Sequence, residues 1–134
     1  MPDPASSPAG VHHVPATRPG SPFSVATRVG EVLYLSGQIG VAPGGRLAEG
    51  MEAQARQTLD NVRDVLASQG LGMEHVFKCT VMLADISQWA AFNAVYLSYF
   101  DATRLPSRSG FGVSGLVAGA LVELECWAYV APSG

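Results

Sequence analysis

"HVFKCTVMLADISQWAAFNAVYLSYF", residues 75–100, contains the change of pattern on which the fold turns. From His75 to Asp85 it is dense in β-branched and apolar residues, the composition of a buried strand. Asp85 followed by Gln88 resembles a capping box, and the segment after it, "ISQWAAFNAVYLSYF", reads as a helix whose apolar positions nearly encircle it. A buried strand running straight into a buried helix needs further elements to cover both.

Those elements lie on either side. From Met51 to Gln69 the apolar residues Met51, Ala55, Leu59, Val62 and Leu66 recur at three- and four-residue spacing. Glu52, Arg56, Asp60, Arg63 and Asp64 fall elsewhere, so this is an amphipathic helix, and Gly70 suits its C-terminal cap. Further upstream, "VHHV" reads as a short edge strand, "FSVATRV" alternates as a half-buried strand, and "EVLYLSGQIG" follows across a Val29–Gly30 break to complete a hairpin. Downstream, "PSRSGFGV" and "ALVELECWAYV" are two more strands joined through "SGLVAG". The order is β-β-β-α-β-α-β-β, without internal repeat or linker. Two helices cannot cover both faces of so wide a sheet; placed together on one face, they leave the other to be buried by another subunit.

Composition agrees. At 134 residues and 14.0 kDa the chain has room for one core. Residues 1–10, rich in Pro, Ala and Ser, read as a mobile tail, and residues 11–134 as a single domain. Charged residues are 14%, against roughly 25% in a typical globular chain, while the hydrophobic fraction is 48%. Such a surplus of apolar surface points to homo-oligomer contacts. With net charge −3, one lysine (Lys78) and scattered arginines, there is no basic face for nucleic acid. No apolar run is long enough for a signal peptide or a membrane span, which predicts a soluble cytoplasmic protein. Cys79 and Cys126 lack ligand spacing and read as reduced core residues.

Few motifs carry chemistry. "GFGVSG", Gly110 to Gly115, matches G-x-G-x-x-G formally, but only 19 residues follow it, too few for the rest of a dinucleotide-binding unit. His12, His13 and His75 have neither zinc spacing nor a partnering cysteine. Arg108, by contrast, is the single charge between Arg104 and Glu123. Glu123 and Glu125 share one face of the last strand, opposite Val122, Leu124 and Cys126, and Trp127 and Tyr129 continue that face. A guanidinium near a partly buried carboxylate is a site geometry, since arginine grips a carboxylate through two N–H groups while glutamate exchanges protons with water or substrate. Periodicity alone leaves Glu123 and Glu125 equivalent.

"YLSGQIG", "QARQTLDNVRDVLASQG", "VFKCTVMLADISQWAAFNAVYLSYF", "PSRSGFGV" and "VELECWAYV", in this order and spacing, resemble the RidA/YjgF family of reactive-intermediate deaminases over roughly Phe23 to Val130. The resemblance implies an α+β, chorismate-mutase-like single domain, a mixed six-stranded sheet with two helices on one face, and a homotrimer with sites between subunits. The family's P-x-R-S arginine falls on Arg108 and its E-x-E glutamate on Glu123. In the deaminating members the arginine holds the carboxylate of a 2-imino acid and the glutamate assists the attacking water; neither metal nor organic cofactor is implied. Ser36, Gly37 and Asn93 match further substrate-binding positions. Two departures stand out: Phe23 where tyrosine is usual, and Gly110 where cysteine is frequent. Both predict a roomier, more apolar pocket suited to imino acids derived from leucine, methionine or phenylalanine. The alternatives are a pathway-specialised relative acting on a larger imine or related hydrolysable substrate, and a non-catalytic small-carboxylate binder. RNA cleavage, attributed to some relatives, fits poorly with a pI near 5.5.

Overall fold

Alternation in the first third of the chain folds into an antiparallel ribbon. A computed structural model describes residues 7–132. In it β1 (Val11–Pro15), β2 (Ser24–Val29) and β3 (Val32–Leu35) pair in succession, with β1 at the edge as "VHHV" predicts. Gly30 lies in the two-residue turn between β2 and β3 with φ 59°, a left-handed conformation that glycine takes without a steric penalty. Of the tail expected over residues 1–10, residues 1–6 lie outside the described residues. Beyond them Val11 N donates to Pro8 O and Gly30 N to Gly10 O, each at 3.1 Å.

"EVLYLSGQIG", read as one strand, is two. Ser36 N donates to Val25 O at 2.9 Å and its hydroxyl to Ser24 O at 2.6 Å, which ties the chain to β2 where β3 ends. After Gly37 the two-residue β4 (Gln38–Ile39) pairs with β7 (Val122–Tyr129). The sheet therefore has seven strands among the described residues instead of the expected six. β5 (Val76–Leu83) and β6 (Ser107–Gly112) complete it in the order β1-β2-β3-β7-β5-β6, with β4 also on β7. It is mixed: β5 and β6 are parallel and the other pairs antiparallel.

α1 (Met51–Ser68) buries the stripe named from the sequence, with Met51, Ala55, Leu59, Val62 and Leu66 each at most 6% exposed. Burial of one such large side chain stabilises by ~1.5–3 kcal/mol, so this face anchors the helix layer. Gln54 and Thr58 share it, which apolar periodicity did not reveal; Gln54 Oε1 accepts a hydrogen bond from Leu121 N at 2.7 Å. The second helix is shorter than its composition suggests. A 3₁₀ turn over Ile86–Gln88 leads into α2 (Trp89–Tyr96), and another over Leu97–Tyr99 ends it. Asp85 caps the entry by accepting from Ser87 N at 2.9 Å and Ser87 Oγ at 2.7 Å, so Gln88 closes no capping box.

Both helices lie on one sheet face and share a core with Leu33, Leu35, Val81, Leu83, Val122 and Leu124. Cys79 and Cys126 meet in this core as free thiols, Sγ to Sγ 3.5 Å. The opposite face carries exposed aromatics: Tyr34 and Phe77 pack edge-on against Trp127, and Phe77 and Tyr129 are 42% and 45% exposed.

Candidate active site

Arg108 belongs to β6, an edge strand whose residues are all exposed in the single chain. Register places it beside buried Cys79, so its side chain rises on the helix-bearing face, toward α2. There Nη1 donates to Asn93 Oδ1 at 2.8 Å. The guanidinium carbon sits 5.3 Å from the Trp89 ring centre and 4.8 Å from that of Tyr96, within cation–π range. Burial, then the neighbouring Cys79 thiol, pushes the Tyr96 hydroxyl up, so it stays neutral beside the cation. Two aromatic rings and one amide thus fix the guanidinium, while Nη2 and Nε remain without protein acceptors among the described residues.

Glu123 occupies the other side of the sheet. It alternates with buried Val122 and Leu124 and pairs with Ile39 of β4. Its carboxylate lies against Gly37 so closely that a β-carbon there would overlap Oε2 and stand 3.0 Å from Cδ. Partial burial, and secondarily the charge of Glu125, raises the Glu123 pKa above its ordinary value. Glu125 differs in that its Oε1 accepts from Trp127 Nε1 at 3.2 Å. The two glutamates, equivalent by periodicity, are thus distinguished: Glu125 is engaged by an indole, and Glu123 faces bare backbone.

Arg108 and Glu123 consequently do not meet within one chain. Strand register sends the two side chains to opposite faces of the sheet. Each has its own companions. Asn93 and Gly110 accompany Arg108; Gly37 accompanies Glu123, and Ser36 precedes it with its hydroxyl committed to Ser24 O. Phe23 is 55% exposed immediately before β2.

The expected extra room at Gly110 is also absent. The Trp89 ring fills it: a β-carbon at residue 110 would overlap Cη2 and lie 2.7 Å from Cζ2. Trp89 and Tyr96 were not among the sequence-derived site residues. Their spacing from Asn93, four residues before and three after, places all three on one helix face and is the signal that would have found them.

A seven-stranded mixed sheet with two helices on one face, and an edge-strand arginine held by an asparagine and two aromatic rings of the second helix, defines an α+β protein of the Rid type. The family described as endoribonuclease L-PSP matches residues 14–130. A 2-iminobutanoate/2-iminopropanoate deaminase of goat (Capra hircus) is 37% identical over 113 residues, 83% of this chain and 82% of that protein. Protein HMF1 of Saccharomyces cerevisiae is 39% identical over 104 residues, 77% of this chain and 80% of its own. The crystal structure of the Rid-family protein YyfA from Yersinia pestis superposes with a TM-score of 0.80 at 38% identity, covering 88% of this chain and 94% of that one. The chain belongs to the RidA/YjgF family. Among its described residues no helix is long and apolar enough to cross a membrane.

Proposed function

We propose that this protein is a hydrolytic deaminase of small 2-imino acids, acting as a homotrimer in which Arg108 of one copy faces Glu123 of the next. The observation that carries the reading is the presentation of Arg108: its guanidinium is fixed by Asn93, Trp89 and Tyr96, and Nη2 and Nε, without acceptors among the described residues, suit a carboxylate. The deaminase name of the goat relative supports the reaction. The uncovered aromatic face and the opposite placement of Arg108 and Glu123 support the assembly, since only a neighbouring copy can supply the missing half.

In this scheme the substrate carboxylate rests on Arg108. A water attacks the carbon of the protonated imine and passes a proton to the Glu123 carboxylate as the carbon–oxygen bond forms, which leaves a neutral carbinolamine. Glu123 returns that proton to the amine nitrogen; the carbon–nitrogen bond breaks as the hydroxyl oxygen forms the carbonyl, the hydroxyl proton is released to Glu123 or solvent, and a 2-keto acid and ammonia result. The Glu123 pKa, raised by burial, brings the group closer to neutrality and suits it to this exchange. A simple carboxylate binder would have no use for the proton-handling group. The test is to generate 2-iminobutanoate or 2-iminopropanoate in situ with another enzyme and follow imine decay directly. Decay should quicken in proportion to added protein; an unchanged rate overturns the proposal.

A further inference from the structure

We propose that Trp89 is the residue that limits substrate size, its indole walling the carboxylate site so that short 2-imino acids are admitted and branched or aromatic ones are not. This rests on the deaminase reading above and specifies the substrate class within it. Three observations carry it. The indole occupies the volume that a side chain at residue 110 would take, with Cζ2 and Cζ3 at 2.7 and 3.2 Å from where its β-carbon would stand. It borders the guanidinium, whose carbon lies 5.3 Å from the ring centre. It is also braced from behind, packing edge-on against the fully buried Phe92 at 6.3 Å and 80°.

The geometry leaves little choice. Asn93 takes one N–H of Nη1 and Tyr96 stacks at 4.8 Å, so Nη2 and Nε, without acceptors among the described residues, offer a carboxylate a matched pair of donors. The α-carbon follows one bond later, and its substituent starts beside the ring assembly that holds the arginine. A methyl or ethyl group fits beside a fixed indole, whereas an isobutyl or benzyl group requires the indole to move, and Phe92 resists that movement. A pocket wall of this kind discriminates by ~10–200-fold per methylene. Glycine at residue 110 is then the counterpart of tryptophan at residue 89: one leaves the space that the other fills.

The experiment measures preference by two independent routes. Calorimetry gives Kd for 2-oxobutanoate and 4-methyl-2-oxopentanoate, the unreactive keto-acid products of a short and a branched substrate; kinetics gives kcat/KM for the corresponding imines. Wild type should favour the short acid by about tenfold or more in both. Trp89→Ala should reduce that preference at least about tenfold, and Trp89→Phe should shift it less in the same direction, which serves if the alanine variant does not fold. Gly110→Cys should weaken both acids by displacing the indole, and Trp89→Phe in the same chain should recover part of the loss. A preference that stays within about twofold of wild type in the folded Trp89 variants, or a wild type that favours the branched acid, overturns the role of Trp89 while leaving deamination standing. A wild type that neither binds the keto acids nor hydrolyses the imines overturns the deaminase reading and this inference together.

Discussion

Gly37→Ala separates the stability of this protein from its chemistry. Gly37 is not among the glycines with positive φ, so alanine can adopt its backbone, and the loss of unfolded-state freedom alone would stabilise by ~0.4–1 kcal/mol. The added β-carbon, however, would overlap Glu123 Oε2 and stand 3.0 Å from Cδ and 3.2 Å from Cγ. Carbon atoms in contact rest ~3.5–4.0 Å apart, so the carboxylate must retreat by on the order of 1 Å. Its side chain is flexible and can do so for ~0.5–1.5 kcal/mol of rotamer strain. The two stability effects nearly cancel, and the melting temperature should move by no more than about 5 °C. Catalysis has no such compensation: a misplacement of about 1 Å costs ~100-fold, and it should fall on kcat, because the grip of Arg108 on the carboxylate is untouched. Thermal unfolding and imine-decay kinetics on the same preparation test this. A kcat within about threefold of wild type, with the protein folded, would refute the placement of Glu123 at the reaction centre.

Arg108→Ala should abolish deamination, with a loss on the order of 2–5 kcal/mol in substrate binding, and Arg108→Lys should recover little of it because a point charge cannot replace the fork; wild-type turnover in either variant contradicts the clamp. If Glu123 works ionised, activity should fall as pH drops through its pKa, and since that pKa is raised, the acid limb should lie above the ordinary value of 4.5. Glu125→Gln removes a repelling charge, favours ionised Glu123 and should move the limb to lower pH; an upward movement would count against the assignment. Sedimentation at micromolar concentration should give a trimer, and a fully active monomer would contradict a site shared between copies.

The elements best legible from sequence were those whose partners form a single layer. α1 announces its buried stripe because every member faces the same sheet, and β7 alternates because one side meets helices and the other does not. The break at Ser36 was hidden, since it depends on hydrogen bonds to Ser24 and Val25, residues whose proximity only the hairpin creates. Alternation placed Glu123 opposite Val122, but the side taken by Arg108 depends on its register with Cys79 across two strands, which no local pattern encodes. The fate of the space at Gly110 was equally nonlocal: a missing side chain looks like an opening until the fold brings Trp89 into it.

The placement of Arg108 and Glu123 on opposite faces bears on inheritance as well as on chemistry. A chain defective in one half still carries the other, and in the proposed assembly it lends that intact half to a neighbour. Two alleles, one lacking the arginine and one lacking the glutamate, would each be inactive alone. Co-expressed, they would assemble some mixed interfaces in which both groups are present, and activity would reappear at a fraction of the sites. Neither defective chain would be a bystander in a cell that also makes the wild-type chain, because each one that enters a mixed assembly spoils one of the shared sites.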